Sequence, residues 1–242
     1  MEQETKSECS KEVDISIVIP TYNERNRVMP TLNAYTKFFD SLGIVYEIII
    51  ADYSSDGTKE MIRDYQKKHR NIILLDINKR GKGLAIYEAF KICKGKYLSF
   101  TDADNATPPE EFYKLYSFLP EYDAAIGSRG IDRSHVTSYH QSHLRRLGSL
   151  FLGVFLVRIL YGLDVKDSQC GAKIFKGEKI RDILPKMRIT NSIFDIELLW
   201  RFKKLGMIKE VPVNWVDDRF SHFKWKDTLK EFAWLLRVRF GL

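Results

Sequence analysis

The residues best suited to carry chemistry in this sequence are two carboxylates, Asp102 and Asp104, separated by a single alanine. They directly follow Tyr97 to Thr101, an apolar run that predicts a buried strand. Carboxylates at the end of a parallel strand supply the hard oxygen ligands that Mg²⁺ or Mn²⁺ prefers, and a diphosphate and water can complete the shell. We therefore predict a divalent cation bound by Asp104 and Asp102. The alternative is that the pair only forms an Asx turn or a helix cap before Pro108.

Two more polar clusters follow apolar runs. Thr21 to Glu24 follows Ile15 to Pro20, and Asp52 to Asp56 follows Tyr46 to Ala51. Ligands of parallel sheets bind at the carboxyl ends of the strands, so these clusters are expected to share one site with the carboxylate pair. Asp52 could accept a hydrogen bond from a nucleotide base or ribose, whereas Asp56 is better explained as a turn and helix cap. The alternative is that polar residues simply occupy loops.

A basic stretch with two glycines, Lys79 to Gly83, precedes a predicted helix. Backbone amides at a helix N-terminus suit phosphate, and Lys82 is the predicted nucleotide contact. The spacing is not that of a P-loop, so it does not predict an NTPase. A solvated basic loop is the alternative.

The apolar runs alternate with amphipathic segments, which predicts an α/β fold with a mostly parallel sheet flanked by helices. Strands are predicted over Ile15 to Pro20, Tyr46 to Ala51, Asn71 to Asp76, Tyr97 to Thr101, Asp123 to Gly127 and Ile208 to Trp215. Helices are predicted over Arg27 to Leu42, Thr58 to Lys68, Gly83 to Cys93, Pro108 to Phe118 and Ile193 to Leu205.

Composition is that of a globular protein, because 44% of the 242 residues are hydrophobic and 29% are charged. Three widely spaced cysteines argue against a disulfide framework and favour a reducing compartment. The net charge of +7 suits binding to nucleic acid, anionic lipid or a phosphorylated substrate, and charge alone does not choose among them.

We expect a disordered lead-in at 1–13, a main domain at 14–222 and a tail at 223–242. The lead-in is polar and acidic and is no signal peptide, which predicts a protein that is not secreted.

Two segments suggest contact with a membrane surface. The apolar segment 144–163 contains Arg158, and its stretch from 147 to 163 is shorter than the roughly 20 residues of a membrane span, so it predicts an interfacial helix. The tail 223–242 interleaves aromatic residues with cations, as is typical of a helix in the headgroup layer. The alternative is that both are ordinary core or oligomer helices. No RNA-binding motif accompanies the basic tail, so no nucleic-acid partner is predicted.

Together these motifs resemble glycosyltransferase family 2, with its GT-A fold, and within it the branch of dolichyl-phosphate β-glucosyltransferases, relatives of dolichol-phosphate mannose synthase. The segments run in the family's order over nearly the whole chain. They are Pro20 to Glu24, Asp52 to Thr58, Arg80 to Gly83, Asp102 to Thr107, Gly127 to Arg129, Asp167 to Lys173, Phe194 to Leu199 and Val211 to Trp215.

The resemblance implies roles for individual residues. The nucleotide pocket would be lined by Pro20, Tyr22, Glu24 and Asp52. Asp104 would be a metal ligand, and Asp102 would touch the nucleotide or the metal through water. The acceptor phosphate would lie near Arg129, and Gln169 and Lys173 would face the donor diphosphate or the acceptor phosphate. Asp195 and Glu197 would lie near the transferred sugar. The implied catalytic set is Asp102, Asp104, Arg129 and Asp195.

The chain also departs from the family's usual pattern. An Asp-Asp-Gly-Ser run is usual at the second cluster, where this chain has Ala51 and Tyr53 as the first and third residues. Asn105 and Ala172 stand where glycine and phenylalanine are common. After Trp215 the usual Gly-Ser-Lys is replaced by 220–222 (FSH), so Arg219 or Lys224 would supply the phosphate-binding cation.

The implied reaction is an inverting transfer of a sugar from a nucleotide-sugar donor, UDP-glucose, to a polyprenyl or dolichyl phosphate. Mg²⁺ or Mn²⁺ would be the cofactor, and the enzyme would sit peripherally on the cytoplasmic face, with room for a membrane-protein partner. The alternatives are GDP-mannose as donor, a sugar hydroxyl as acceptor, and a non-catalytic nucleotide-sugar or lipid-binding subunit. The sequence does not determine the oligomeric state.

Overall fold

The structure is a computed structural model, which describes residues 12–129, 136–137, 156–216 and 234–241. Its strands are β1 (Ile15–Thr21), β2 (Tyr46–Asp52), β3 (Ile72–Asp76), β4 (Tyr97–Phe100), β5 (Ala124–Ser128), β6 (Val136–Thr137), β7 (Lys173–Lys176), β8 (Ile208–Pro212) and β9 (Trp215–Val216). Its α-helices are α1 (Val28–Leu42), α2 (Thr58–Gln66), α3 (Lys82–Ile92), α4 (Pro109–Tyr116), α5 (Leu156–Tyr161), α6 (Gly177–Ile183), α7 (Phe194–Phe202) and α8 (234–240). A short 3₁₀ helix covers Leu184–Lys186.

Seven strands form one sheet in the order β3-β2-β1-β4-β7-β5-β8. All neighbouring pairs are parallel except those of β7, which runs antiparallel to both β4 and β5. The predicted α/β fold with a mostly parallel sheet is confirmed. Because β7 is antiparallel, Lys173 at its start pairs with Phe100 at the end of β4. The loop before β7 therefore reaches the same edge as the carboxyl ends of the parallel strands.

Alternation along the strands builds a core on each face of the sheet. In β1, Ile17 and Ile19 pack with α1, α2 and α4, whereas Val18 points into the core formed with α3, α6 and α7. These three side chains are fully buried. Both helical layers thus hold β1 and β4 rigidly, and the loops that follow these strands project from a fixed base.

One predicted strand is wrong in its extent. Ile208 to Trp215 was expected to be continuous, but β8 ends at Pro212 and Trp215 belongs to β9, which pairs with β6. At the break, Asn214 leaves the ladder and donates from its backbone amide and side-chain amide to Glu111, at 2.9 and 2.8 Å. Proline at the strand end and this competing carboxylate explain the interruption.

The C-terminal helix α8 packs on α5. Tyr161 donates to the carbonyl of Leu235 at 2.6 Å, and Arg239 donates to that of Leu160 at 2.6 Å. Leu235 is buried in the core, so one side of α8 belongs to the main domain. The rest of the two predicted membrane-facing segments, 144–155 and 223–233, lies outside the described residues, as does 1–11 of the predicted lead-in. Within the part of the chain that the structure describes, no helix combines the length and apolarity of a membrane span.

Candidate active site

The loop that carries the two central carboxylates is fixed by α1. Thr31 donates to the carbonyl of Ala103 at 2.7 Å, and Tyr35 donates to the carbonyl of Thr107 at 2.9 Å. Thr31 and Tyr35 are both fully buried. The loop after β4 therefore has a defined conformation before any ligand arrives, which holds Asp102 in place at the edge of the sheet.

Asp102 forms an ion pair with Lys82, the first residue of α3, with 2.6 Å between Nζ and Oδ1. Burial opposes ionisation of Asp102, but the positive charges of Lys82, Lys173 and Arg129 outweigh it and lower its pKa. Burial likewise opposes the charge on Lys82, and Asp102 and Asp195 raise the pKa of that ammonium. Asp102 is thus the ionised centre of a cluster of cations.

Asp104 lies in a different electrostatic setting. Burial, and then the charge of Asp102, raise the pKa of Asp104, whose carboxylate accepts a hydrogen bond from the amide of Ala106 at 3.0 Å. Burial also raises the pKa of Glu24 against the effect of Arg27, and Asp104 and Asp102 add to that rise. Carboxylates that repel each other in this way are stabilised by a cation.

A divalent cation fits this group of oxygens if a ligand completes its shell. Asn105 adopts a left-handed backbone (φ 55°), and its buried Oδ1 has no hydrogen-bond partner. Over the described ranges, no group of three or more histidine, cysteine, aspartate or glutamate side chains is arranged to hold a metal by itself. Asp104 with Asp102 therefore suits a metal whose remaining ligands come from a diphosphate and water.

The loop before β7 closes on Asp102 from the other side. At Gly171, a Cβ atom would lie 2.5 Å from Cγ of Asp102 and closer still to its Oδ2. Only glycine lets the backbone pass this near the carboxylate. The same loop carries Gln169, whose side chain is exposed, and the buried Cys170. The structure thus brings the Asp167 to Lys173 segment and the carboxylate pair together.

Lys173 lies beneath this loop and not on its surface. It is fully buried, forms an ion pair with Asp195 at 2.6 Å, and donates to the carbonyl of Cys170. Burial raises the pKa of Asp195 even though Lys173 and then Lys82 act to lower it. Lys173 was expected to face a phosphate, but in this structure it binds Asp195 and supports the 170–171 peptide.

Arg129 follows β5 and forms a two-pronged ion pair with Asp167, at 2.7 and 2.9 Å. Burial opposes the charge on Arg129, and Asp167 raises its pKa; Arg129 in turn lowers the pKa of Asp167 despite burial. Glu210 of β8 accepts the backbone amides of Lys166 and Asp167. Asp167 is a site residue to which sequence reasoning gave no role, and only its place in the 167–173 motif marked it.

The predicted nucleotide pocket lies at the ends of β1 and β2. Asp52 is fully buried, with Oδ1 accepting from the hydroxyls of Thr21 and Ser54 at 2.6 and 2.5 Å and Oδ2 accepting from the amide of Ser54 at 3.0 Å. Pro20 is half-buried in β1 and pairs with Ala51. Asp52 thus fixes the two loops to each other, and a contact with a base or ribose stays a prediction.

The outer part of this pocket is aromatic and basic. Tyr22 is exposed and stacks beside Tyr53, and the guanidinium of Arg80 lies 4.2 Å from the centre of the Tyr22 ring. Glu24 is held by Arg27 at 2.6 Å. Sequence reasoning assigned no role to Tyr53, although its departure from the family's glycine was a signal.

One residue of the predicted set lies elsewhere. Glu197 is fully buried and accepts the amides of Arg188 and Ile189 at 2.9 and 2.7 Å, and it pairs with Arg201 at 2.7 Å. It therefore holds the loop before α7 and does not face the transferred sugar. Arg219 lies outside the described residues.

Comparison with known proteins places this site in a class. The chain matches the family model "Glycosyl transferase family 2" over residues 16–184, which is well over half of its length. Together with the sheet and the paired carboxylates at its edge, this match defines the protein as a glycosyltransferase. It belongs to glycosyl transferase family 2.

Two relatives and one solved structure show which members of the family this chain is similar to. The chain is 32% identical over 242 residues to the dolichyl-phosphate beta-glucosyltransferase of Dictyostelium discoideum, covering 93% of this chain and 74% of the relative. It is 30% identical over 227 residues to the protein of the same name in Saccharomyces cerevisiae, covering 85% of this chain and 67% of the relative. Its fold is similar to that of glucosyl-3-phosphoglycerate synthase from Mycobacterium tuberculosis, solved in complex with Mn²⁺, UDP and glucosyl-3-phosphoglycerate. That match has a TM-score of 0.71 and 18% identity and covers 95% of this chain and 81% of the other.

Proposed function

We propose that the protein transfers glucose from UDP-glucose to a dolichyl or related polyprenyl phosphate, giving a lipid-phosphate-linked glucose. The observation that carries the proposal is the arrangement of charges at the edge of the sheet. Asp102 and Asp104 form an anionic centre suited to a metal–diphosphate complex, and the nearby cation Arg129 is suited to a second phosphate. The names of the relatives from Dictyostelium discoideum and Saccharomyces cerevisiae support glucose as the sugar and dolichyl phosphate as the acceptor.

The reaction is a single inverting displacement. An oxygen of the acceptor phosphate forms a bond to the anomeric carbon, and the bond from that carbon to the donor's β-phosphate oxygen breaks, with the electron pair leaving on UDP. A phosphate is already anionic, so no side chain has to remove a proton. The protein's contribution is to position the two reactants and stabilise charge on the leaving group.

The side chains divide between donor and acceptor. Lys82 donates to the leaving diphosphate when its bond to Asp102 opens, while Arg129 and the exposed Gln169 bind the acceptor phosphate. Asp195 is buried against Lys173, and its charge raises the pKa of Lys82, so it would act on the donor side through these two lysines. A bound Mg²⁺ or Mn²⁺, held by Asp104 with Asp102, would supply a Lewis acid for the diphosphate.

Transfer to the lipid tests the proposal directly. With purified protein, radiolabelled UDP-glucose and dolichyl phosphate in detergent, we expect lipid labelling that requires Mn²⁺ or Mg²⁺. Asp104→Asn is expected to lower the transfer rate by about 100-fold or more, because it removes the charge that holds the metal–diphosphate complex. The matched control is Asp76→Asn, which changes an exposed aspartate at the end of β3 and is expected to leave the rate unchanged.

The results separate the alternatives. Labelling from GDP-mannose and not from UDP-glucose would replace the proposed donor. Binding of UDP-glucose without transfer to lipid or hydrolysis would contradict an enzymatic role on this acceptor. An Asp104→Asn variant as active as the parent would contradict the metal site.

We also propose that α5 and α8 carry the face that meets the membrane, on its cytoplasmic side. Three exposed apolar side chains support this: Ile159 is 62% exposed, Trp234 46% and Phe240 63%. Arg237, whose guanidinium lies 5.7 Å from the ring of Trp234, adds positive charge, whereas Arg158 on α5 is paired with the exposed Asp164. Exposed aromatics beside cations suit an anionic headgroup layer.

Vesicle binding checks this face. The double variant Trp234→Glu/Phe240→Glu is expected to weaken binding to vesicles of phosphatidylcholine and phosphatidylserine by at least about 10-fold, because each aromatic loses roughly 1.5–3 kcal/mol of burial. Met207→Glu serves as the control, since Met207 is 60% exposed in the turn before β8. Equal binding by the parent and the double variant would contradict the proposed membrane face.

A further inference from the structure

A carboxylate on β8, the last strand of the sheet, binds the backbone that leads into the 167–173 loop. Glu210 is half-buried, and its side chain accepts two successive amides. Oε1 accepts from Lys166 and Asp167 at 3.0 and 2.7 Å, and Oε2 accepts from Lys166 at 2.9 Å. Hydrogen bonds to a carboxylate are among the stronger ones in proteins, so Glu210 fixes the backbone at Asp167.

Asp167 in turn fixes Arg129. Its Oδ2 accepts from the backbone amide of Arg129 at 3.0 Å and from Nε at 2.7 Å, and its Oδ1 accepts from Nη2 at 2.9 Å. The Asp167 side chain is only 10% exposed, so water competes little for these bonds. Asp167 therefore determines both where the Arg129 backbone lies and how its guanidinium is oriented.

The guanidinium of Arg129 can bind a second anion besides Asp167. Within the described ranges, its pair with Asp167 uses only part of its N–H donors. Trp215 flanks it, with 5.3 Å between the guanidinium carbon and the ring centre, and the Arg129 side chain is 30% exposed. Because a guanidinium binds a phosphate through a planar set of donors, its orientation decides whether that contact can form.

We propose that Glu210 is a positioning residue, which acts through Asp167 to orient Arg129 towards the phosphate of the acceptor. The proposal rests on the proposed function, since it takes the acceptor to be a lipid phosphate bound by Arg129. Glu210 would touch neither reactant. Its bonds to the 166–167 amides keep Asp167 in place, and Asp167 keeps the guanidinium in place, so loss of Glu210 is expected to weaken acceptor binding.

The part of the loop that meets Asp102 is anchored separately. The carbonyl of Cys170 accepts from Lys173, and the carbonyl of Ala172 accepts from the amide of Gly127 at 2.9 Å. Neither contact involves Glu210. A change at Glu210 is therefore expected to reach the acceptor side and leave donor binding as it is.

Steady-state kinetics with each substrate varied in turn tests this role. Glu210→Ala is expected to raise the KM for dolichyl phosphate about 10-fold and to leave the KM for UDP-glucose unchanged. Glu210→Gln keeps a side-chain oxygen that can accept both amides, so it is expected to restore most of the acceptor affinity. Calorimetric binding of UDP with Mn²⁺ is expected to be the same in all three proteins.

Glu47→Ala is the matched control. Glu47 also anchors a loop, accepting from the amide of Lys94 at 2.7 Å and from the hydroxyl of Ser16 at 2.6 Å, but it does so at the opposite end of the sheet. It is expected to lower the melting temperature and leave both KM values unchanged. In an Arg129→Lys background, where no two-pronged pair can form, Glu210→Ala is expected to add no further rise in the acceptor KM.

The role of Glu210 can be separated from the proposed function. If the parent transfers glucose to the lipid and Glu210→Ala has an unchanged acceptor KM, the positioning role is wrong and the proposed function stands. Equal rises in both KM values, or the same acceptor effect in Glu47→Ala, would also overturn the role, because Glu210 would then only stabilise the fold. No transfer by the parent would contradict the proposed function and this role with it.

Discussion

Replacing Lys173 with methionine is expected to lower the free energy of unfolding by about 3–5 kcal/mol, because it leaves the carboxylate of Asp195 buried without its cation. Both partners are fully buried, with 2.6 Å between them. Methionine keeps the length of the side chain, so the effect comes from charge and not from a large cavity. Urea denaturation followed by circular dichroism measures it.

Two comparisons show whether the lost charge pair is the cause. Lys176→Met alters the same strand, where Lys176 pairs with Asp123 at 2.9 Å near the surface, and is expected to cost no more than about 1 kcal/mol. Lys173→Met combined with Asp195→Leu is expected to recover most of the stability, since neither charge remains. A Lys173→Met loss no larger than that of Lys176→Met would contradict the interpretation.

The pH dependence of this loss has a predicted sign. Without Lys173, the pKa of Asp195 in the folded state rises further above its unfolded value of about 4. A carboxyl whose folded pKa is raised favours folding when it is protonated, and this stability is lost as the pH rises from the unfolded towards the folded pKa. The deficit of Lys173→Met is therefore expected to be smaller at pH 5 than at pH 8.

Replacing Gly171 with alanine is expected to lower the rate of the proposed glucosyl transfer by about 100-fold while the protein stays folded. The added methyl carbon would lie 2.5 Å from Cγ of Asp102, so the carboxylate must leave the position from which it would hold the metal together with Asp104. A displacement of about 1 Å at a reacting centre is enough for a loss of this size. Steady-state transfer assays beside a thermal melt measure both effects.

Gly206→Ala is the matched control for that variant. Its methyl carbon would lie 2.7 Å from Oδ2 of Asp123, so it also pushes on an aspartate, but one paired with Lys176 and Lys179 away from the site edge. Gly206→Ala is therefore expected to cost stability and keep its activity. Full activity in Gly171→Ala would show that Asp102 need not hold the position seen here.

Much of the architecture could be predicted because its signals are local. The runs that form β1, β2 and β4 are short, β-branched or aromatic, and bounded by polar residues. These features predict both that each run is a strand and where it ends. β7 was not located, since it spans four residues, begins and ends with lysine, and pairs with strands distant in sequence. Its antiparallel direction depends on tertiary contacts that no local pattern encodes.

Residues of the candidate site could be located from the sequence where a local pattern marks them. Contacts between residues that are distant in sequence could not. The place of Asp102 and Asp104 at the edge of the sheet could be predicted because they directly follow a strand, and their roles there stay predictions. The burial of Lys173 could not be seen, because it depends on Asp195, which lies 22 residues further along the chain. For the same reason, the bond from Asp167 to Arg129 across 38 residues appeared only in the structure.

The place of β7 in the sheet has a consequence for synthesis on the ribosome. Among the described strands, β7 alone joins the part built from β3, β2, β1 and β4 to the part built from β5 and β8. A nascent chain that has emerged only as far as residue 170 already contains both central carboxylates, yet β4 is an unpaired apolar edge open to association with other chains. Such a fragment lacks the glycine that closes on Asp102 and the lysine beneath it, so translation that stops early leaves an aggregation-prone half-sheet on which the candidate active site is incomplete.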